Sequence, residues 1–292
     1  MESGSRARRS LVAIGMAACL AGLALGATLA SGNLSETSNT KQLLYPQPET
    51  SKAACAGKKH VGSGGFYTDT GTDFTPYAWI TGSAPAGGDV DRWEATGHNS
   101  SAVQAAKLRS YGYCFSGPKP KVKKHTVGIP ASGSFGVPGH SSANCPKGKT
   151  VIGGGFEIGI DDYPVAHQVV LQSMQRTGDK RGIEVEVVNE DDEEVELTAY
   201  AVCGKGKAPK ETTKTIHIEA PGRENATSNC DKGEEALFGG FRGVYEDLGA
   251  TSFFFSTPMA LQRPSKGQVK ASGYAVAGNE EQVDFTAIAY CR

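Results

Sequence analysis

After residue 30 the chain has no long apolar run, and no window sustains a 3.6-residue apolar period over twelve residues. Helix packing therefore has no amphipathic segment to work with. Methionine is scarce, at 4 residues, and leucine is sparse, which argues in the same direction. Net charge is almost absent: 30 Lys and Arg against 31 Asp and Glu leave −1, so no overall basic footprint marks a nucleic-acid binder. The histidines (His60, His98, His125, His140, His167 and His217) form no H-x-x-x-H or H-E-x-x-H pair, which removes the common zinc patterns. No Ser sits in a G-x-S-x-G elbow. These absences set the expectation of a protein that is not an enzyme and carries no cofactor or metal. What 292 residues with 38 Gly, 14 Pro and 38% apolar content do give is a globular, turn-rich chain of one to three domains.

The first residues speak to compartment. Arg6, Arg8 and Arg9 precede an uncharged run from Leu11 to Ala30 that is rich in Ala, Leu and Gly. A basic start, an apolar middle and small residues around 26–32 read as a secretory signal over 1–30. The alternative is a membrane anchor formed by residues 11–30, since that length can span a bilayer. Cys19 falls inside this segment, which leaves six cysteines in an oxidising compartment. Residues 31–52 are polar, with Pro46 and Pro48, and read as a tether.

Those six cysteines open and close three similar segments. CAGKKHVGSGGF begins at Cys55, CPKGKTVIGGGF at Cys145 and CDKGEEALFGGF at Cys230, ending at Phe66, Phe156 and Phe241. The closing segments AKLRSYGYC, VELTAYAVC and VDFTAIAYC end at Cys114, Cys203 and Cys291, with a bulky Tyr111, Tyr200 or Ile288 three places before each cysteine. Asn99, Asn189 and Asn279 mark the last turn of each copy. So many fixed offsets imply a triplicated module. The boundaries read as 53–118, 119–206 and 207–292.

Inside each module the pattern alternates. Val195, Leu197, Ala199 and Ala201 share one face, and Ile183, Val185 and Val187 lead into a hairpin closing at 189–194. Residues 124–130 and 214–219 read as lead-in strands before the next opening cysteine. The expected fold is all-β, roughly five strands per module, in three tandem disulfide-stapled β-sandwich-like modules. The glycine pairs before each Phe predict strands whose bare backbone lies under a neighbouring element, with the Phe filling the core. Two symmetric pairings suit the cysteines. One staples each module (Cys55–Cys114, Cys145–Cys203, Cys230–Cys291), and near-equal spacing favours it. The other links each closing cysteine to the next opening one and needs a closed ring.

Cys-Pro-x-Gly-x-x-Val-Ile-Gly-Gly-Gly-Phe at 145–156, followed by Thr-Ala-Tyr-Ala-Val-Cys at 198–203, resembles a repeat of secreted actinobacterial proteins of unassigned function. The likeness extends over roughly residues 40–292 and implies an extracellular β module with no established activity. Copy one departs from it at the turn glycine and in Ser-Tyr-Gly-Tyr-Cys. A closed pseudo-threefold β-prism, as in egg vitelline outer-layer proteins, is the alternative architecture by looser analogy.

Four features are candidates for contact with a partner. Tyr77 and Trp79, with Tyr111 and Tyr113, concentrate aromatic surface in copy one and suit a glycan or protein platform. Phe253, Phe254 and Phe255 are a second aromatic group. Lys119, Lys121, Lys123 and Lys124, then Lys205, Lys207, Lys210 and Lys214, place basic connectors at equivalent positions, to which an anionic wall polymer could bind. Glu190, Asp191, Asp192, Glu193 and Glu194 crowd a hairpin tip, a solvated turn or a weak calcium site. Threefold repetition without a unique catalytic constellation favours a secreted binding or cell-surface protein whose partner is an extracellular glycan or protein. The alternative is a structural subunit of an extracellular particle or toxin complex. No nucleic-acid partner is expected, and the membrane enters only through the signal segment.

Overall fold

A computed structural model describes residues 34–69, 78–131, 138–160, 169–219, 221–243, 245–247, 253–277 and 282–292. The apolar segment 11–30, Tyr77 and Asn279 lie outside them, and of Phe253, Phe254 and Phe255 only the backbone is described.

The first module supplies β1 (Ser35–Leu43), β2 (Glu49–Ala54), β3 (His60–Asp69), β4 (Ala78–Pro85), β5 (Arg92–Asn99) and β6 (Ala106–Phe115). The second supplies β7 (Lys121–Ile129), β8 (Pro138–Asn144), β9 (Thr150–Gly159), β10 (Val169–Arg176), β11 (Gly182–Asn189) and β12 (Val195–Gly204). In the third are β13 (Lys210–Glu219), β14 (Gly222–Asn229), β15 (Ala236–Gly243), the short β16 (Tyr245–Asp247), β17 (Phe253–Gln262), β18 (Gln268–Ala277) and β19 (Gln282–Cys291). The all-β class and the three stapled modules stand. The first two modules have six strands and the third seven, against the five expected: β2, β8 and β14 are polar edge strands that pair on one side only, with β5, β11 and β18, and the third module adds the short β16.

The tether expected at 31–52 is corrected. Its residues form β1 and most of β2, with Ser35 opposite Cys114 and Leu43 opposite Ala106. SETSNTKQL looks like a linker because all but one of its side chains face water or a boundary, and an edge strand needs only its backbone to pair. Leu43 is the exception, at 1% exposure.

Disulfides join Cys55 to Cys114, Cys145 to Cys203 and Cys230 to Cys291, with Cα atoms 5.7, 5.6 and 5.5 Å apart. Each ties the turn ahead of a Gly-Gly-Phe strand to the end of the strand beside it. The turn glycines Gly57, Gly148 and Gly233 have φ of 65°, 79° and 90°, a conformation that glycine adopts without strain.

Sheet topology links the modules. The first sheet runs β1-β6-β3-β17-β18-β14, the second β2-β5-β4-β9-β12-β7 and the third β13-β19-β15-β10-β11-β8. Every sheet thus joins three strands of one module to three of another, with the short β16 added beside β17 in the first sheet, and the sharing closes a cycle. Within a module the two three-stranded halves face each other like a small sandwich: Ser51 of β2 bonds Ser110 of β6 at 3.0 Å. Each half then continues into a neighbour. The modules are stapled sandwiches and at the same time interlocked in a pseudo-threefold ring.

Glycines make this closure possible. A Cβ on Gly64, Gly154 or Gly239 would fall 2.3, 2.7 or 2.5 Å from Trp93, Ile183 or Val269, the side chain that caps it from the opposite half of its own module. One residue on, a Cβ on Gly65, Gly155 or Gly240 would meet the carbonyl of Leu261, Ser83 or Met174 at 1.9, 2.4 or 2.4 Å, across the junction with the next module. The strands β3, β9 and β15 meet at the centre, where Ser63 Oγ donates to Leu237 O at 2.5 Å and the Phe66 and Phe156 rings stand edge to face at 6.1 Å. Phe66, Phe156 and Phe241 are fully buried, each contributing about 1.5–3 kcal/mol of apolar burial.

Candidate functional site

The three junctions between modules differ. Where β15 meets β10, Arg176 is 8% exposed. Its backbone N–H donates to Tyr290 Oη at 2.7 Å, its Nη1 to Pro209 O at 2.6 Å, and its guanidinium lies 4.8 Å over the Tyr290 ring. Where β3 meets β17, Arg263 does the same: N–H to Tyr113 Oη at 2.6 Å, Nη1 to Ala236 O at 2.7 Å, guanidinium 5.1 Å over the Tyr113 ring. Burial pushes both phenols well above their ordinary range. The third junction, β4 against β9, has Pro85 in the arginine's place and Val202 in the tyrosine's. Both partners of the clamp are missing together.

At this unclamped junction the outer face of the second sheet holds an open groove of about 340 Å³. Its floor carries almost no side chain, because Gly82 and Ala84 of β4 lie beside Gly155 and Glu157 of β9. Register explains the opening at this junction. Gly82 lies opposite Glu157, whereas the matching pairs are Ser173 with Arg242 in the third sheet and Ala260 with Tyr67 in the first. Tyr200 and Lys124, opposite each other on β12 and β7, form one wall, and Glu94 and Thr96 of β5 form the other.

The polar atoms of the groove are partly engaged. Tyr200 Oη donates to Glu157 Oε2 at 2.6 Å. Burial, then the Glu157 carboxylate, pushes the Tyr200 phenol well above its ordinary range, so it stays a protonated donor. Glu94 Oε1 faces Lys52 Nζ at 2.9 Å and Arg92 Nε at 3.4 Å. Thr96 and Thr50 share a hydroxyl bond of 3.0 Å. Tyr200 is 4% exposed, while Glu157 and Lys124 are exposed. The arrangement offers hydrogen-bond donors and acceptors on two walls around a small flat floor, and it holds no activated nucleophile.

Of the aromatic platform expected in copy one, the described Tyr111 and Tyr113 are buried. Tyr113 is 2% exposed and spends its hydroxyl on Arg263, so its place is in the packing of a junction. Tyr111 is 7% exposed and burial raises its phenol, which leaves little ring to offer. Trp79 is half-buried on β4, opposite the buried His98, and Tyr77 lies outside the described residues. Sequence did single out Tyr200, but only as one of three bulky residues before a closing cysteine. Its importance comes from Gly82, Ala84 and Glu157, which no local pattern connects to it.

Two of the eight connector lysines are paired, and the acidic tip is tied to its own turn. Lys119 pairs with Asp89 at 3.0 Å, and Lys210 pairs with Asp231. At the acidic tip the Asp191 N–H donates to Asn189 Oδ1 at 3.1 Å, and Asp191 Oδ1 accepts from the Asp192 N–H at 2.8 Å, which closes the turn locally. Among the described residues no group of three or more His, Cys, Asp or Glu could hold a metal ion. None of the described helices is long and apolar enough to cross a membrane. Three disulfides fit an oxidising, extracellular environment. No protein-family model matches the chain, and no curated protein matches it.

Proposed function

We propose that the chain is a secreted, non-enzymatic binding or cell-surface protein that uses the ring of three modules as a rigid frame. In this reading residues 1–30 direct export, and the partner is an extracellular glycan or protein. The groove on the second sheet carries the reading: it lies at the one junction without a clamp, and its walls pair carboxylates with hydroxyl and ammonium donors. Rigid strands on both sides supply the pre-organisation that a binding site needs. Tyr200, held protonated, suits contact rather than nucleophilic chemistry.

The test fills the groove with what the third sheet already carries at the same places. Gly82→Ser with Ala84→Gln copies Ser173 and Gln175, and a Cβ at Gly82 meets nothing nearer than 3.5 Å. Partners retained by the wild-type protein from culture supernatant and cell wall are then compared with those retained by the double variant. Loss of a partner at an unchanged melting temperature supports the groove. Retention of every partner removes it.

A second reading, an assembly subunit, has one observation of its own. Leu44, Tyr45 and Val103 are 52, 46 and 92% exposed, and Asn99 Nδ2 bonds both Leu43 O and Gln104 O, which joins their loops at one end of the first module. Sedimentation of the purified protein separates a monomer from a particle.

A further inference from the structure

The open valences of the groove narrow the class of ligand, an argument that rests on the groove being the binding site. Both ion pairs of Glu94 use Oε1, so Oε2 has no protein partner among the described residues. Glu157 accepts the Tyr200 hydroxyl on Oε2, so Oε1 is likewise open. Lys124 Nζ has no partner and brings three donors to the wall beside Tyr200. The groove thus presents carboxylate acceptors from two opposite walls and an ammonium donor next to one of them.

Charge then decides among ligands. Glu94 is compensated by Lys52 and Arg92, while Glu157 accepts the Tyr200 hydroxyl and lines the same groove as Lys124. An acceptor whose charge is already compensated, as that of Glu94 is, gains little from a cation. A polyanion would face two carboxylates at the floor's edges and lose by repulsion. An apolar ligand would leave carboxylates and ammonium unpaired when it covered them, at a cost of about 1–3 kcal/mol for each polar group. Hydroxyl groups both donate and accept, so a ligand dense in them satisfies Glu94 Oε2, Glu157 Oε1 and Lys124 Nζ together. The floor of Gly82 and Ala84, which carries no more than a methyl group, gives a flat ring room to lie between the walls. We infer that the groove at the junction of the first two modules is a subsite for a neutral saccharide, which donates hydroxyls to Glu94 and Glu157 and accepts from Lys124.

Calorimetric titration of the disulfide-intact protein uses three probe sets: neutral hexasaccharides (gluco-, manno- and N-acetylglucosamine series), heparin oligosaccharides and spermidine. The expected result is binding of at least one neutral hexasaccharide. Glu157→Gln should weaken it about tenfold and Lys124→Met several-fold, with both variants melting like wild type. Gly82→Ser with Ala84→Gln should abolish it. No binding of any neutral probe overturns the inference, as does tighter binding of heparin or spermidine. Neutral binding indifferent to all three variants overturns it too, by placing the sugar elsewhere. If no saccharide binds but the groove-filled variant loses a protein partner, the saccharide assignment falls while the groove remains the binding site.

Discussion

One chemical change, glycine to alanine, should have three different consequences at three positions, and the structure ranks them. A methyl on Gly155 would lie 2.4 Å from Ser83 O and 2.9 Å from the Ala84 Cα. A carbon rests against a carbonyl oxygen at about 3.3–3.6 Å, so the neighbouring backbone must retreat by roughly 1 Å. That backbone belongs to another module, and the described ladder between β4 and β9 is only Gly82 with Glu157 and Ser83 with Phe156. Overpacking against unyielding main chain places the loss at about 2–3 kcal/mol. At Gly57 nothing lies within 4 Å, but φ is +65°, so alanine costs about 1–2 kcal/mol through backbone strain alone. Gly178 has neither a close neighbour nor a φ in that region. There alanine should stabilise by about 0.4–1 kcal/mol by restricting the unfolded chain. Guanidinium denaturation of the three oxidised variants, fitted with a common slope, reads all three values. A Gly155→Ala midpoint equal to wild type would refute the close-junction reasoning, and so would equal losses at Gly155 and Gly178.

Other outcomes follow from the same geometry. Removing Cys145–Cys203 by a double alanine substitution should lower stability by about 4 kcal/mol on the chain-entropy account. Because sheets cross module boundaries, the loss should appear as one shifted calorimetric transition; a separate early melting of the second module would contradict the interlocked topology. Tyr290→Phe keeps the ring stacked on Phe238, 4.2 Å away, but strips the buried Arg176 N–H of its acceptor, for a loss of about 1–3 kcal/mol in urea unfolding. An unchanged midpoint there would deny the clamp a role. His98 is 1% exposed, has an unpartnered Nδ1, and is held below its ordinary pKa by burial. The unfolded chain therefore binds a proton that the folded chain refuses: full stability holds above about pH 6.5 and declines as pH falls below it. His98→Val, the residue present at Val188, should raise the melting temperature and flatten its dependence between pH 7 and 5. A pH slope identical to wild type would show that another group is responsible.

How much was legible depended on the range of each interaction. Each opening cysteine, its turn glycine and its core Phe lie within about a dozen residues of one another, and the closing cysteine follows the opening one by 59, 58 or 61 residues, so the repeat exposes them all. Trp93, Ile183 and Val269 align for the same reason, and each covers a glycine of its own module. The edge strands β1 and β2 escaped because pairing through the backbone alone leaves no apolar signature. Sheet sharing was invisible in a stronger sense. Nothing local in Gly82 or Ser83 specifies Glu157 and Phe156 as neighbours, and either a ring or a string of beads satisfies the alternation. The groove inherits that limit, since it exists only after β4 and β9 are placed side by side. Tyr113 misled for a physical reason: it has the large, polar-tipped side chain of a contact residue, and a junction that needs a buried hydroxyl uses the same one.

The cyclic order of the sheets also bears on what a fragment of this chain would do. A single module, 121–209 for example, carries two half-sheets whose natural continuations lie in different neighbours: β9 seeks a strand like β4, and β10 seeks one like β15. Alone, it would leave two seam strands with unsatisfied ladders, a state that β proteins relieve by pairing with another chain. Another copy of the same module offers both missing edges, at the rotation that closes after three. The isolated module is therefore expected to assemble as a homotrimer, turning the internal pseudo-symmetry into true symmetry. Such a trimer is also the simplest ancestor from which fusion of three copies would free each junction to diverge into clamp or groove.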